Sequence, residues 1–425
     1  MSVLWFQIRN SPVRMAVFPL AVLDIAVVFL RSRFWFGVWP DTGAAAQIPT
    51  YLLGLIVAAC AAWAADAPLR HNMQEQIKAA AISPARLEGL RLVATALILS
   101  LPYLVGQAVA FSLTARTFPP GVHLWFGYFL VGLFVTILSV VIGWACGKFI
   151  GTTFGAVVAA LGWLLLVALS SNVSDFVVMS GSPEVTVDLV AIVTRLALIA
   201  AIFVVFIVVP VVGRPSRRVA LALISTAVSL GIVLTATSTV VQRKAPASAS
   251  CVSGRIKLCV WPEHEKYLPS LTSVGERVEV LPGVFAVPPQ MNEFGIDPVK
   301  IIRKNGTVGV IESPNMAPSF RVIEGSRWSY SGEIAKAILV HTYRKFGRCR
   351  WDAISSTDQE RSLALDAWME TYLAGGGRPD YRTNAPAEVK DSWEVGRRIA
   401  NEELVEFQFR WAEEAVVELG TRYCR

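Results

Sequence analysis

The chain has 425 residues, of which 54% are hydrophobic and 17% charged, and its net charge is +7. Soluble domains average about 25% charged residues, so this composition argues against an ordinary soluble enzyme and for an integral membrane protein. The positive excess lies wholly in residues 1–244, which carry +8 against −1 for residues 245–425. Basic loops beside apolar spans account for such a bias, and no nucleic-acid partner is expected.

A span needs about 20 largely apolar residues to cross a hydrocarbon layer about 30 Å thick. Seven stretches qualify, at approximately 15–34, 48–66, 91–113, 123–147, 151–170, 188–212 and 218–241, joined by short segments rich in Pro, Gly, Ser and charge. The first has no small-residue cleavage site and is followed by further spans, so it reads as retained rather than as a signal peptide. With the N-terminus inside, the cytoplasmic segments collect Arg9, Arg14, Arg70, Lys78, Arg86, Arg91, Lys148, Arg214, Arg217 and Arg218. The outer side keeps Arg31, Arg33, Arg116, Arg243 and Lys244. Lys and Arg are retained on the cytoplasmic side, so the expectation is a multi-pass plasma-membrane protein with a cytoplasmic N-terminus. An odd number of spans then puts the C-terminal part outside. Two charges fall within spans, Asp24 in the first and Arg195 in the sixth. Both should face the protein interior or a water-filled cavity, where they would pair or line a path, although Arg195 could also snorkel to the headgroups.

The loop after the second span, residues 67–91, reads APLRHNMQEQIKAAAISPARLEGLR. Met73 and Ile77 sit four apart, as on one face of a short helix lying at the membrane surface. Ser83 then caps a second helix, with Pro84 at its first position, where a missing N–H costs nothing. That helix should run directly into the third span.

The segment EQIKAAAISPARLEGLRLVATAL resembles the connection between the second and third spans of type-2 ABC exporter permeases, through Glu75, Ser83, Pro84, Arg86 and Arg91. The resemblance covers roughly residues 1–212. It implies that this loop docks onto an ATP-hydrolysing subunit and that two permease chains, alike or different, work as a pair. The sequence has no Gly-x-x-x-x-Gly-Lys-Ser/Thr phosphate loop, so ATP and Mg would belong to a separate subunit, with no cofactor on this chain.

Residues 245–250 read as a linker to a domain over 251–425. Four of the six cysteines lie there, Cys251, Cys259, Cys349 and Cys424, an even number suited to an oxidising compartment. Of three pairings, Cys251 with Cys259 is favoured, closing a hairpin around Ser253-Gly254, together with Cys349 and Cys424, tying the last helix to the body. Turn signals at Pro282-Gly283 and Asn305-Gly306 bracket expected strands near Lys300–Arg303 and Val308–Ile311. Helices are expected over Ser331–Phe346, from a capping box at Thr357 and Glu360 to the glycines at Gly375, and from Pro386 to Gly420. The last carries an apolar stripe through Trp393, Ile399, Leu404, Phe407 and Trp411. The fold class is therefore an α-helical polytopic membrane domain of about seven spans plus a mixed α+β, helix-rich extracytoplasmic domain.

Catalytic signals are thin. His264-Glu265 lacks the second histidine of a zinc-peptidase helix, because position 268 is Leu, and no Gly-x-Ser-x-Gly elbow occurs. Neither a catalytic nor a metal residue is assigned. Besides a permease, the sequence leaves open a membrane-anchored receptor or assembly protein, and a tethered hydrolase.

Overall fold

A computed structural model describes residues 3–30, 35–71, 83–170, 181–208, 239–297, 300–304, 307–311, 317–323, 325–379 and 386–424. The expectations resting on Met73, Glu75, Ile77, Asn305-Gly306 and most of the seventh span lie outside these residues. The chain forms two compact units, Met1–Gln242 and Arg243–Arg425.

The first unit is a helix bundle. α1 (Val3–Arg9) and a 3-10 turn (Pro12–Ala16) lead into α2 (Val17–Leu30), followed by α3 (Trp39–Gln47), α4 (Pro49–Arg70), α5 (Pro84–Ala115), α6 (Val122–Phe149) and α7 (Thr152–Ser170). After them come β1 (Val185–Val187), α8 (Leu189–Val208) and β2 (Val240–Gln242). Among the described residues, five stretches are long and apolar enough to cross a membrane: Pro12–Leu30, Trp39–Pro68, Pro84–Ala115, Val122–Phe149 and Leu189–Phe206. The apolar part of α7, Phe154–Ala168, is shorter. Phe18, Phe154, Leu165 and Val190 project from α2, α7 and α8 as exposed apolar side chains, which lipid rather than water would cover. These features are those of a helical polytopic membrane protein.

Two local expectations change. Residues 39–47 are not a surface connection; all nine are buried as α3. Their small side chains permit this, since a Cβ on Gly43 would come within 2.8 Å of Tyr128, and small residues let helices approach closely in a membrane. The end of the proposed seventh span is a strand, with β2 antiparallel to β1 and Val240 opposite Val187.

Gly143 and Gly147 on α6 form a small-x-x-x-small pair facing Ala58, Ala61 and Ala62 of α4. A Cβ on Gly143 would lie 2.1 Å from the Ala58 carbonyl oxygen. Where lipid supplies no hydrophobic drive between helices, such close backbone contact is what holds them.

The second unit contains β3 (Ser250–Val252), β4 (Lys257–Val260), α9 (Leu268–Glu279), β5 (Gln290–Glu293), β6 (Lys300–Lys304), β7 (Thr307–Ile311) and β8 (Ser319–Phe320). Helices α10 (Arg327–Phe346), α11 (Ser356–Ala374), α12 (Ala387–Glu402) and α13 (Val405–Tyr423) complete it. One sheet has the order β3-β4-β5-β8, with β3 antiparallel to β4 and the other pairs parallel. The return from β4 to a parallel β5 requires a crossover, and α9 supplies it. Its Leu271, Val274 and Val278 recur at helical spacing and bury against Leu258, Met291 and Trp368 in one core. β6 and β7 form the expected hairpin in antiparallel register.

The first helical start expected here is shifted. α10 begins at Arg327, four residues upstream of Ser331. At α11 the N-cap is Ser355, whose hydroxyl accepts from Asp358 N at 3.2 Å and donates to Asp358 Oδ2 at 2.8 Å. The box is therefore Ser355–Asp358, not Thr357–Glu360. Asp358 also meets Arg422 and Tyr423 of α13, which anchors this start of the helix to the last one.

The single helix expected over Pro386–Gly420 is two helices, since Glu403 and Leu404 are extended. Gln408 makes the break tolerable. Its Nε2 donates to Glu403 O at 2.8 Å and Ala400 O at 3.3 Å, while its Oε1 accepts from Trp368 Nε1 at 3.2 Å. Carbonyls freed at a helix end need such partners when buried. The apolar stripe is correspondingly interrupted: Ile399 is buried, but Leu404 is 80% exposed and Phe407 42%.

Candidate functional site

The start of α5 presents the residues singled out by the loop motif. Ser83 is the N-cap, its Oγ accepting from Arg86 N at 3.4 Å, and Pro84 occupies the first turn. Ser83, Pro84 and Arg86 are exposed, so none of the described residues covers this end of the helix. From it α5 continues without a break for 32 residues, close to 48 Å at about 1.5 Å per residue.

One turn beyond the cap the helix turns inward. Glu88 is buried, and its Oε2 accepts from Arg91 Nη1 at 3.2 Å, while its Oε1 accepts from Trp144 Nε1 at 3.1 Å and lies 3.6 Å from Lys148 Nζ. The two cations extend the network to further helices. Arg91 Nη2 donates to Ala64 O of α4 at 2.7 Å, and Lys148 Nζ donates to Phe206 O of α8 at 2.9 Å. The Arg91 guanidinium also lies over the Trp144 ring, 5.5 Å from its centroid. A single carboxylate thus bridges two cations, leaving a net charge of +1, and ties α5 to α6, while the cations reach backbone carbonyls of α4 and α8. At the end of α4, Asp66 pairs with Arg70 at 3.2 Å, and Arg70 covers Trp63.

Sequence reasoning named Arg91 but missed Glu88, Trp144 and Lys148 as a unit. The available signal was Glu88 three residues before Arg91, a spacing that brings two side chains together on a helix. The partnership with Lys148 spans 60 positions and leaves no local pattern.

The intramembrane charges do not pair with each other. Asp24 is 1% exposed, and its Oδ2 has no hydrogen-bond partner. Arg195, also 1% exposed, donates from Nη1 to Thr239 Oγ1 at 2.5 Å and lies 6.0 Å from the Phe134 ring. Both are therefore interior groups, and Arg195 does not reach out toward headgroups.

In the second unit both favoured cysteine pairs sit at disulfide distance, with S–S separations of 2.14 Å for Cys251–Cys259 and 2.02 Å for Cys349–Cys424. Cys251 and Cys259 face each other in the β3–β4 register. Beside the second pair, Asp358 accepts from Tyr423 Oη at 2.5 Å and from Arg422 Nη1 at 2.6 Å. These bonds, the Tyr423 hydroxyl first, then Arg422 and Ser355, hold the Asp358 carboxyl down to about 2.

His264 is buried, with Nδ1 2.6 Å from Glu293 Oε1, and Glu293 Oε2 accepts from Trp261 N at 2.9 Å. This network joins the turn after β4 to β5. Among the described residues no group of three or more His, Cys, Asp or Glu side chains is arranged to hold a metal ion. The tryptophans mostly serve the core: Trp261, Trp328 and Trp368 are buried, and Trp351 is 38% exposed.

No family model matches this chain, and no curated protein or solved structure matches it.

Proposed function

We propose that this chain is the membrane-spanning subunit of an ATP-driven exporter of the type-2 ABC class. It would pair with a second permease chain, alike or different, and draw power from a separately encoded ATPase that carries ATP and Mg. The cargo class is a peptide, a lipid-like molecule or an antibiotic-type compound. In this reading the N-terminus lies in the cytoplasm, the chain sits in the plasma membrane, and residues 251–425 face the extracytoplasmic side. The two cysteine pairs support that placement, because disulfides persist in oxidising compartments.

The observation that carries the proposal is the exposed, capped start of α5, helical without interruption into its span. A transporter needs an element that passes partner motion into the bilayer, and α5 runs as helix from Pro84 with no interior proline before Pro102, so motion at its start reaches the first turns of the span directly. The Glu88–Arg91–Lys148 network makes neighbouring helices follow. A push on Ser83–Arg86 would move α5 and α6 together, with α4 and α8 drawn along through the Ala64 and Phe206 carbonyls.

The test is co-purification of the tagged chain from its native membrane, followed by ATP turnover in lipid nanodiscs. An ATPase should accompany the chain, and replacing Glu75 and Arg86 with alanine should weaken its retention or uncouple turnover. A complex with no second subunit and no ATP turnover would refute the proposal.

A further inference from the structure

Asp24 belongs to a small cavity of about 20 Å³ where α2, α4, α5 and α6 meet, a volume near that of one water. Thr50, Tyr103, Thr136 and Ser139 bring hydroxyls to its wall. Each has already given its proton away. Thr50 Oγ1 donates to Gln47 O at 2.6 Å, Thr136 Oγ1 to Gly132 O at 2.9 Å, Ser139 Oγ to Thr136 O at 2.7 Å, and Tyr103 Oη to Phe129 O at 2.7 Å. Tyr103 additionally accepts from Gln107 Nε2 at 3.0 Å. The side-chain oxygens on the cavity wall are thus acceptors, and the carboxylate oxygen Oδ2 has no donor.

The neighbouring helices supply no compensating charge. From α5 the titratable group at the cavity is Tyr103, while α4 and α6 bring Thr50, Thr136 and Ser139 and no cation among the lining residues. Gly106 of α5 makes the room: a Cβ there would lie 1.7 Å from Asp24 Oδ2. An ionised carboxylate left without a donor or counter-charge in such a place is very costly. A water could donate to the acceptor oxygens, but an ionised Asp24 without a counter-charge needs positive charge as well, and the cavity's size limits that guest to something smaller than a hydrated ion.

We propose that this chamber is a binding site for one small monovalent cation, sodium or a proton, held on Asp24 and flanked by the Thr50, Thr136 and Ser139 oxygens. The site does not rest on the exporter reading. Because it joins α2 to three other helices, occupancy fixes their packing and release loosens it, which lets an ion gradient bias the bundle.

The experiment uses the full chain in nanodiscs, comparing wild type, Asp24→Asn and Ser139→Ala. Binding of radioactive sodium is measured against choline chloride at constant ionic strength, and infrared difference spectra are recorded with isotope-labelled aspartate. Saturable sodium uptake that vanishes in Asp24→Asn identifies a sodium site. A protonated-carboxyl signal that vanishes in Asp24→Asn, without sodium uptake, identifies a proton site. Ser139→Ala keeps the carboxyl and removes one acceptor, so it should weaken sodium uptake about tenfold, equal to about 1.4 kcal/mol, or shift the carboxyl signal. An ionised Asp24 with identical sodium behaviour in wild type and Asp24→Asn overturns the proposal, as does a Ser139→Ala protein unchanged in both readouts.

Discussion

The two cysteine pairs of the second unit should stabilise it unequally, by an amount that follows from chain length. Cys251–Cys259 spans 8 residues and Cys349–Cys424 spans 75. In the chain-entropy model, closing these loops in the unfolded state contributes about 2.5 and about 4.5 kcal/mol respectively at 25 °C. The perturbation is replacement of each pair by alanine in the full chain. Each pair contains one buried cysteine, Cys259 at 2% exposure and Cys424 at 3%, while Cys251 is exposed and Cys349 half-buried against the core, so loop closure dominates the difference and Cys349 packing adds to it in the same direction. Native-state hydrogen exchange of peptides from α10 and α13 reads the opening of the unit. The Cys349/Cys424 variant should exchange faster than the Cys251/Cys259 variant by about thirtyfold, the equivalent of about 2 kcal/mol. Equal losses, or a larger loss for the short loop, would refute the entropic reasoning and point to strain or residual structure in the unfolded chain.

Glu88→Ala should destabilise the membrane unit by about 3–5 kcal/mol, because it leaves Arg91 and Lys148 without their shared carboxylate; thermal unfolding in nanodiscs measures it, and a loss below that of Arg86→Ala would contradict the network. Gly143→Val forces a side chain against the Ala58 carbonyl and should cost at least about 1–3 kcal/mol. Gly162→Ala, inside α7 with nothing within 4 Å, should cost nothing in the same assay and stabilise by up to about 1 kcal/mol. Acid sensitivity should track Asp358. Its folded carboxyl is depressed to about 2 from an unfolded value near 3.9, so its contribution is complete above about pH 4 and is lost as pH falls toward 2. An Asp358→Asn protein should unfold with a flatter dependence over that window, followed by circular dichroism, and an unchanged profile would place the acid transition elsewhere.

The division of labour between sequence and tertiary structure is clear at particular residues. Apolar length fixes which segments can cross a bilayer, because hydrocarbon tolerates no unpaired backbone groups and a span must satisfy its own. Hence α2, α4, α5, α6 and α8 were readable, as was the Ser83-Pro84 cap, whose chemistry is local. The Cys251–Cys259 hairpin and the strands around Lys300 and Val308 were legible for the same reason, since turn residues and neighbours in sequence define them.

What sequence alone could not decide depends on partners far along the chain. Burial of α3 requires the fit of Gly43 beneath Tyr128, and the break between α12 and α13 requires Gln408 to serve both Trp368 and the carbonyls of Ala400 and Glu403. Helical periodicity continues through Glu403 and carries no trace of that demand. The same holds for Glu88, whose meaning comes from Lys148, and for Asp24, an unusual charge in the sequence that only folding surrounds with hydroxyls already committed to carbonyls. Local patterns set which elements form; the competition among distant polar groups for a limited supply of donors sets where the chemistry lies.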